Sequence, residues 1–197
     1  MSIQLGLAPT IERAVADLAA KYPTDPPHAA HVADQAVLLF DLLAPWHQLM
    51  APDRALLHHG GLLHDSGIWI NAKGHHRHSA YIVRSDRLLA GYPPAEREML
   101  ARLVQNHRKH PRPAPQDWPL QRRLALVWLS ALLRTADGLD VCHDQQAHVA
   151  AAYPDAHGYV VAVRGVDAGR FDQRLARKSK LLATLLGGDL RFSADPS

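Results

Sequence analysis

The adjacent pair His64-Asp65 closes an apolar run, and Gly67 follows at once. An imidazole and a carboxylate on neighbouring residues can bind one divalent cation when other segments bring further nitrogen and oxygen ligands. Candidate partners lie on both sides of the pair: His28, His75, His76, His78, His107 and Asp137. Eight of the 14 histidines fall between residues 58 and 110, and such clustering asks for a chemical reason. The pattern indicates metal-dependent hydrolysis.

Two aspartates, Asp65 and Asp137, lie on apolar helix faces, where a carboxylate is costly unless a cation or a hydrogen-bond donor satisfies it. With His28 and His64 they would give two nitrogen and two oxygen ligands. This set suits manganese, iron, cobalt, magnesium or zinc, and it is unlike a structural cysteine cage.

A second cation could use His78 and His107, with Asp65 as a bridge between the two ions. For a single histidine taken alone, a surface or core-packing role is the simpler interpretation. We apply that interpretation to the remaining histidines near polar or proline-rich segments: His58, His59, His110, His143, His148 and His157.

Helical spacing of apolar residues accounts for most of the chain. It predicts helices over 10–22, 28–44, 52–65, 78–90, 94–108 and 120–141. His28 lies one turn before Val32, and Asp137 lies one turn after Leu133, so both should point inward. Beyond them, residues 158–163 and 189–192 are strand-like and residues 168–186 are helical. We predict a mainly α domain over 1–150 and a small β-α-β subdomain over 151–197 packed on it.

The composition excludes several classes of protein. The 197 residues, 47% hydrophobic, can bury one good core, and a net charge of +3 allows small phosphorylated ligands. The single cysteine, Cys142, excludes an internal disulfide. No secretory signal or long apolar run is apparent, so we expect a soluble, cytoplasmic protein without a membrane partner. The basic runs 108–112 and 177–180 lack interleaved aromatics, so we interpret them as solvated faces, not as a nucleic-acid surface. The composition is also compatible with a homodimer.

Five short segments, in this order and spacing, resemble the HD-domain metal-dependent phosphohydrolases, and more closely the C-terminal HD region of the exopolyphosphatase / guanosine pentaphosphate phosphatase (Ppx/GppA) family. The segments are His28-Ala29 with Val32-Ala33, LLHDSG at 62–67, GHHRHSAYI at 74–82, NHRK at 106–109 and LLRTADGLD at 132–140. The resemblance covers nearly the whole chain and implies an HD-type helical bundle.

The resemblance also implies a ligand set: His28, His64, Asp65 and Asp137 for one metal, and His78 and His107 as the extra pair where two metals bind. His31 competes with His28 for the first place. We prefer His28, because the family has His-Ala followed three residues later by Val-Ala. Ser66 departs from the family, which usually has an aliphatic residue there. The 197 residues contain no counterpart of the family's actin-like domains, so its polyphosphate hydrolysis is not carried over.

The function we favour is hydrolysis, by metal-activated water, of a phosphoester or phosphoanhydride in a nucleotide or another small phosphorylated metabolite. Catalysis would use His64 and Asp65 through the metal, and Arg108 and Arg134 through charge on the phosphoryl oxygens. Cations adjacent to the proposed ligands would bind phosphate: Lys73, Arg77, Arg108, Lys109 and Arg134. The first four could equally be solvated surface charges, whereas Arg134, on a mostly apolar helix one turn before Asp137, is favoured for the site. The alternative function is a non-catalytic regulatory module that binds a guanosine tetraphosphate-like nucleotide or polyphosphate.

Overall fold

The computed structural model describes residues 8–195, and within them the fold is mainly α with one small sheet, as predicted. The helices are α1 (Ala8–Lys21), α2 (Pro26–Leu42), α3 (Ala44–His47), α4 (Ala51–Leu63), α5 (His75–Ser85), α6 (Pro94–Asn106), α7 (Leu120–Leu139) and α8 (Gln173–Leu186). The strands are β1 (His148–Asp155), β2 (Gly158–Arg164) and β3 (Leu190–Ala194).

The helical bundle is built around α7, which is buried along most of its length. Leu126, Leu129, Leu132 and Leu133 are among its fully enclosed side chains. Helix α2 crosses α4 and also packs on α7, while α5 packs on α6. No helix in the described range 8–195 is both long enough and apolar enough to cross a membrane.

Helix α5 begins earlier than its apolar spacing predicts. The expected start was residue 78, whereas the helix starts at His75, directly after Gly74 in the left-handed conformation (φ 81°). The helix also ends at Ser85, and a short 3-10 turn over Arg87–Leu89 replaces its predicted last turn. The earlier start places His75 and His76, both buried, in the first turn of the helix.

The C-terminal sheet has the order β1-β2-β3, with β1 antiparallel and β3 parallel to β2. The predicted β-α-β arrangement is therefore present as β2, α8 and β3. Strand β1 was not predicted, because its alanines and Pro154 are poor strand formers. The boundary that we expected at 150/151 falls inside β1. Residues of the sheet and α8, such as Val163 and Leu182, share one apolar cluster with the helices.

Candidate metal centre and anion cleft

Five helix ends meet at one place in the bundle. His28 lies in the first turn of α2, His64 directly follows α4, His75 opens α5, His107 directly follows α6, and Asp137 lies in the last turn of α7. Three of these are C-terminal ends, whose unpaired carbonyls carry partial negative charge. Their convergence favours a cation at this position.

His28 and His64 each have one ring nitrogen bound and one free. His28 Nδ1 lies 2.7 Å from Asp140 Oδ2, and His64 Nδ1 lies 2.7 Å from the carbonyl oxygen of Gly61. In the neutral ring these acceptors hold the proton on Nδ1 and leave a lone pair on Nε2. Burial lowers the pKa of His28, but Asp140, Asp137 and Asp65 together raise it above its ordinary value, so a positive charge on this ring or at its Nε2 is favoured. Both side chains are buried, yet neither Nε2 has a hydrogen-bond partner among residues 8–195. A buried lone pair is costly unless an atom such as a metal ion accepts it.

Asp65 joins two groups of potential ligands. One group is His28, His64 and Asp65, and the other is Asp65, His75 and His107; within each group the ligand atoms lie within 4.8 Å of one another. Asp65 Oδ1 lies 3.1 Å from His75 Nε2 and 3.5 Å from His107 Nε2, while Oδ2 lies 3.6 Å from His64 Nε2. Burial alone would raise the pKa of Asp65, but the surrounding histidines hold it far below its ordinary value. The carboxylate of Asp65 is thus shared by the two groups.

His75 and His107 also place Nδ1 beside a backbone carbonyl, but their Nε2 atoms have neighbours within the cluster. His75 Nδ1 lies 3.0 Å from the carbonyl oxygen of Ala72, and His107 Nδ1 lies 2.7 Å from that of Val104. Their Nε2 atoms face each other at 3.1 Å, and the two rings stack with their centroids 5.2 Å apart. Burial lowers the pKa of His107 strongly, which keeps the ring neutral and able to bind a metal.

The structure brings His75, and not the predicted His78, to Asp65. His78 is part-exposed and belongs to none of the ligand groups found in the described part of the chain. The two residues are three positions apart on α5, so helical spacing alone does not separate them; His75, in the first turn, is the one buried at the cluster. Of the two candidates on α2, His28 lies in the cluster, whereas His31 Nε2 bonds the carbonyl oxygen of Ala147 at 2.9 Å.

Asp137 lies beside the cluster, outside both ligand groups, and a cation is already bound to it. Lys178 of α8 donates a hydrogen bond to Asp137 Oδ2. Burial would raise the pKa of Asp137, but Lys178, His64 and His107 together hold it below its ordinary value. Asp137 therefore faces the cluster as a carboxylate.

Above the cluster opens a cleft of about 800 Å³ whose floor includes Asp65, His75 and His107. Its rim carries cations from two parts of the chain: Arg108, Lys109, Arg174, Arg177, Lys178 and Lys180. The last four lie on α8, and three of them, Arg177, Lys178 and Lys180, form the basic run 177–180 that we interpret from the sequence as a solvated face. That interpretation did not place these residues at a cleft. The spacing of Arg174, Arg177, Lys178 and Leu181 does put them on one helix face, which is the only signal of it in the sequence. The arrangement can attract an anion.

The five predicted phosphate-binding cations separate into three kinds. Arg108 and Lys109 are exposed on the cleft rim. Arg134 lines the cleft but is buried, and its Nη1 donates to the carbonyl oxygens of Asn106 (3.0 Å) and Lys109 (2.8 Å), so it braces the segment around His107. Lys73 and Arg77 are exposed and are not among the residues that line the cleft.

His143 was assigned a surface role but contacts the centre. Its ring stacks on His28 with a centroid distance of 3.8 Å, and its Nδ1 lies 2.8 Å from Asp25 Oδ2. Asp25 also caps α2 by accepting a hydrogen bond from the backbone N–H of His28 at 3.1 Å. A loop residue 115 positions away thus covers His28, and no local pattern in the sequence signals this contact.

A second collection of ligand-type residues, Glu12, His58 and His59, lies between α1 and α4. His59 Nδ1 lies 2.9 Å from the Tyr92 hydroxyl and its Nε2 lies 2.8 Å from Glu12 Oε1. Both ring nitrogens of His59 are therefore satisfied by the protein itself. This group has a structural explanation without a metal.

The fold and the site define a helical-bundle protein with a histidine–aspartate cluster beneath a cationic cleft. The family described as Ppx/GppA phosphatase, domain III, matches residues 11–159, and the chain belongs to that family. The match takes in α2 to α7 and ends before α8, so the α8 cations lie outside it.

Two curated relatives are similar over 99 residues, which is 49% of this chain. Both are named guanosine-5'-triphosphate,3'-diphosphate pyrophosphatase; the protein of Aeromonas hydrophila is 34% identical and that of Aeromonas salmonicida 33% identical. The matched stretch spans 20% of the length of each relative.

Proposed function

We propose that the chain is an HD-type metal-dependent phosphohydrolase that acts on a phosphoester or phosphoanhydride of a nucleotide or another small phosphorylated metabolite. The observation that carries the proposal is the pair of unpartnered Nε2 atoms on buried His28 and His64, next to Asp65 and below a cationic cleft. Neutral imidazoles and carboxylates on separate helices form the donor set that manganese, iron, cobalt, magnesium and zinc accept.

His28, His64, Asp65 and Asp137 would hold one ion, and His75 and His107 would hold a second with Asp65 between them. A divalent cation supplies Lewis acidity and lowers the pKa of water, so that a nucleophile for phosphorus is available near neutral pH. Asp140 and the Gly61 carbonyl keep the rings of His28 and His64 in one tautomer and orientation.

The cations have two roles in this proposal. Arg108 and Lys109 lie on the rim, where they would bind phosphate oxygens and offset negative charge that develops during hydrolysis. Arg134 would act as a positioning residue, since its guanidinium holds the backbone of Asn106 and Lys109 and thereby sets the place of His107 and Arg108.

The names of the two Aeromonas relatives suggest that the substrate is a nucleotide phosphoanhydride. A second candidate function is non-catalytic binding of a phosphorylated ligand, such as a guanosine tetraphosphate-like nucleotide or polyphosphate. The α8 cations favour this candidate, because they add positive charge to the cleft that could bind a phosphorylated ligand without a metal. The two functions differ in whether a metal is required.

The first test is elemental analysis of protein purified without chelator, for the parent, Asp65→Ala, His28→Ala and His31→Ala. We expect about one or two equivalents of a transition metal in the parent. The metal should be lost in the first two variants and kept in His31→Ala. His31 is the matched control on the same helix as His28, because its ring bonds the backbone carbonyl of Ala147 instead. Phosphatase assays on nucleotides with the identified metal follow. A parent that takes up no metal after reconstitution with manganese, iron or zinc would favour the binding module.

A further inference from the structure

We propose that Lys178 is an internal cation that occupies Asp137 in the metal-free protein and leaves it when a divalent metal binds there. This inference rests on the proposed metal centre. It adds a residue from outside the matched family region to the control of that centre, because Lys178 lies on α8 and the family match ends at residue 159.

The position of the Lys178 ammonium makes it a competitor for the centre. It donates to Asp137 Oδ2 and lies 3.4 Å from the carbonyl oxygen of His107. Both partners belong to residues that would surround a metal. The lysine side chain is 23% exposed and the aspartate side chain 13%, so water screens the pair less than it would on an open surface.

Helix α8 can bring Lys178 this close because Gly138 follows Asp137 on α7. A Cβ atom at residue 138 would lie 2.9 Å from Lys178 Cβ and 3.1 Å from Leu175 Cδ1. The glycine thus permits close contact of the two helices directly beside Asp137. The close packing of α7 on α8 therefore places the Lys178 side chain within reach of Asp137.

Asp137 differs from the other proposed ligands in this respect. His28 and His64 present free Nε2 atoms, whereas the carboxylate of Asp137 is already bound to a cation. A divalent ion and an ammonium on the same carboxylate repel each other strongly at low local dielectric. Metal binding would therefore release the ammonium, and Lys178 lines the cleft, where a phosphorylated ligand could accept it.

The test compares the affinity of Lys178→Met and Lys180→Met for Zn²⁺, measured by competition with a chromophoric chelator. Lys180 has the same charge, lies on the same helix and lines the same cleft. It is the matched control for the general electrostatic effect of removing one positive charge from α8. We expect Lys178→Met to bind Zn²⁺ about tenfold more tightly than the parent, equivalent to roughly 1.4 kcal/mol. Lys180→Met should change the affinity much less.

A second measurement uses the unaltered protein and does not depend on the folding of a variant. Reductive methylation of lysines, followed by mass spectrometry, should label Lys178 slowly without metal and faster with Zn²⁺, while Lys180 labels equally in both. Equal affinity of the parent and Lys178→Met, with unchanged labelling, would overturn the role of Lys178 and leave the metal centre standing. Absence of Zn²⁺ binding in every variant would overturn the metal centre and this inference with it.

Discussion

At the scale of single residues, the hydrogen bonds of each imidazole separate ligands from structural histidines. His59 has partners on both ring nitrogens, whereas His28 and His64 each use Nδ1 and leave Nε2 unpartnered among the described residues. A buried ring with a free lone pair is stable only if something binds that lone pair. His28 and His64 are therefore tested as ligands before His59.

His75 and His78 provide the sharpest test on one helix. We expect His75→Ala to lower the metal content by roughly one equivalent per chain, because its Nε2 lies 3.1 Å from Asp65 Oδ1. His78→Ala should retain the parent's content, since His78 is outside the ligand groups. Elemental analysis of the two variants, with circular dichroism as a folding control, makes the comparison. Loss of metal in His78→Ala alone would favour His78, as predicted from the sequence, as the ligand beside His107.

Asp140 should matter as much as a ligand although it binds no metal in this arrangement. It accepts from His28 Nδ1 at 2.7 Å, and its other oxygen accepts from the backbone N–H groups of Asp144 and Gln145. Replacement of such a carboxylate typically costs about 10- to 100-fold in metal affinity or activity, and we expect that range for Asp140→Asn. Chelator competition measures it. Asp144→Asn, which perturbs the same loop through Arg170, is the control and should stay near the parent.

The sequence predicts much of the centre at this scale because His28 and Asp137 lie on helices with periodic apolar residues, and Asp65 follows shortly after the end of another. The spacing of the apolar residues predicts that these side chains point towards the core. It does not give the direction of His75, because Gly-His-His-Arg-His offers three histidines and the choice depends on where α5 begins. That start depends on the backbone of Gly74, which apolar spacing does not report.

At the scale of elements, the crossing of α2 and α4 sets the distance between His28 and His64. A Cβ at Gly61 would lie 2.4 Å from Ala33 Cα and 2.8 Å from Ala33 N, so α2 and α4 touch through backbone. Alanine is the better helix former by about 1 kcal/mol, but overpacking typically costs about 1–3 kcal/mol. We expect Gly61→Ala to lower the free energy of unfolding and to weaken metal binding, because its own helix carries His64.

Chemical denaturation with and without Zn²⁺ tests this prediction. Gly91→Ala is the control, since a Cβ there meets no atom within 4 Å and the change should stay within about 0.5 kcal/mol. If Gly61→Ala matched the parent in stability and in metal affinity, the crossing would not control the centre.

The pairing of distant elements explains what sequence patterns missed at this scale. The amphipathic spacing of α8 predicts a helix, but it cannot tell which surface its basic face meets. Only the packing of α8 on α7 brings Arg177 and Lys178 to the cleft. Strand β1 was missed for a similar reason, since its alanines become a strand by pairing with β2.

At the scale of the whole molecule, acid should weaken the fold partly through Asp86, which ties α1 to the turn after α5. Burial raises the pKa of Asp86, but hydrogen bonds from Lys21 (2.6 Å), Tyr22 (2.9 Å) and the backbone of Leu88 hold it below its ordinary value of 3.8. A carboxyl whose pKa is lower in the folded than in the unfolded state adds stability above 3.8, which is lost as the pH falls through the folded value.

Asp86→Asn should therefore lower the unfolding midpoint at pH 7 and make the acid limb of the stability profile shallower. Thermal melts between pH 2 and pH 7 measure both effects. The exposed Asp117→Asn should follow the parent throughout. A parallel acid limb in Asp86→Asn would mean that other carboxylates carry the acid sensitivity.

The shared core determines whether the chain unfolds as one cooperative unit or as two. We predicted a division at 150/151, and that boundary lies within β1, whose Val149 packs in the same apolar cluster as Leu39 and Leu132. The α8 contacts to α7 add a second tie between the two parts. A shared core of this kind couples its elements into one cooperative transition.

Differential scanning calorimetry of the full chain should then show a single transition whose calorimetric and van't Hoff enthalpies agree. Bound Zn²⁺ should shift that whole transition upward, because a ligand that binds only the folded state stabilises everything that unfolds with it. Two transitions, of which only the larger responds to Zn²⁺, would contradict this expectation. Residues 151–197 would then be an independent unit, and the route from Lys178 to Asp137 would cross a domain boundary.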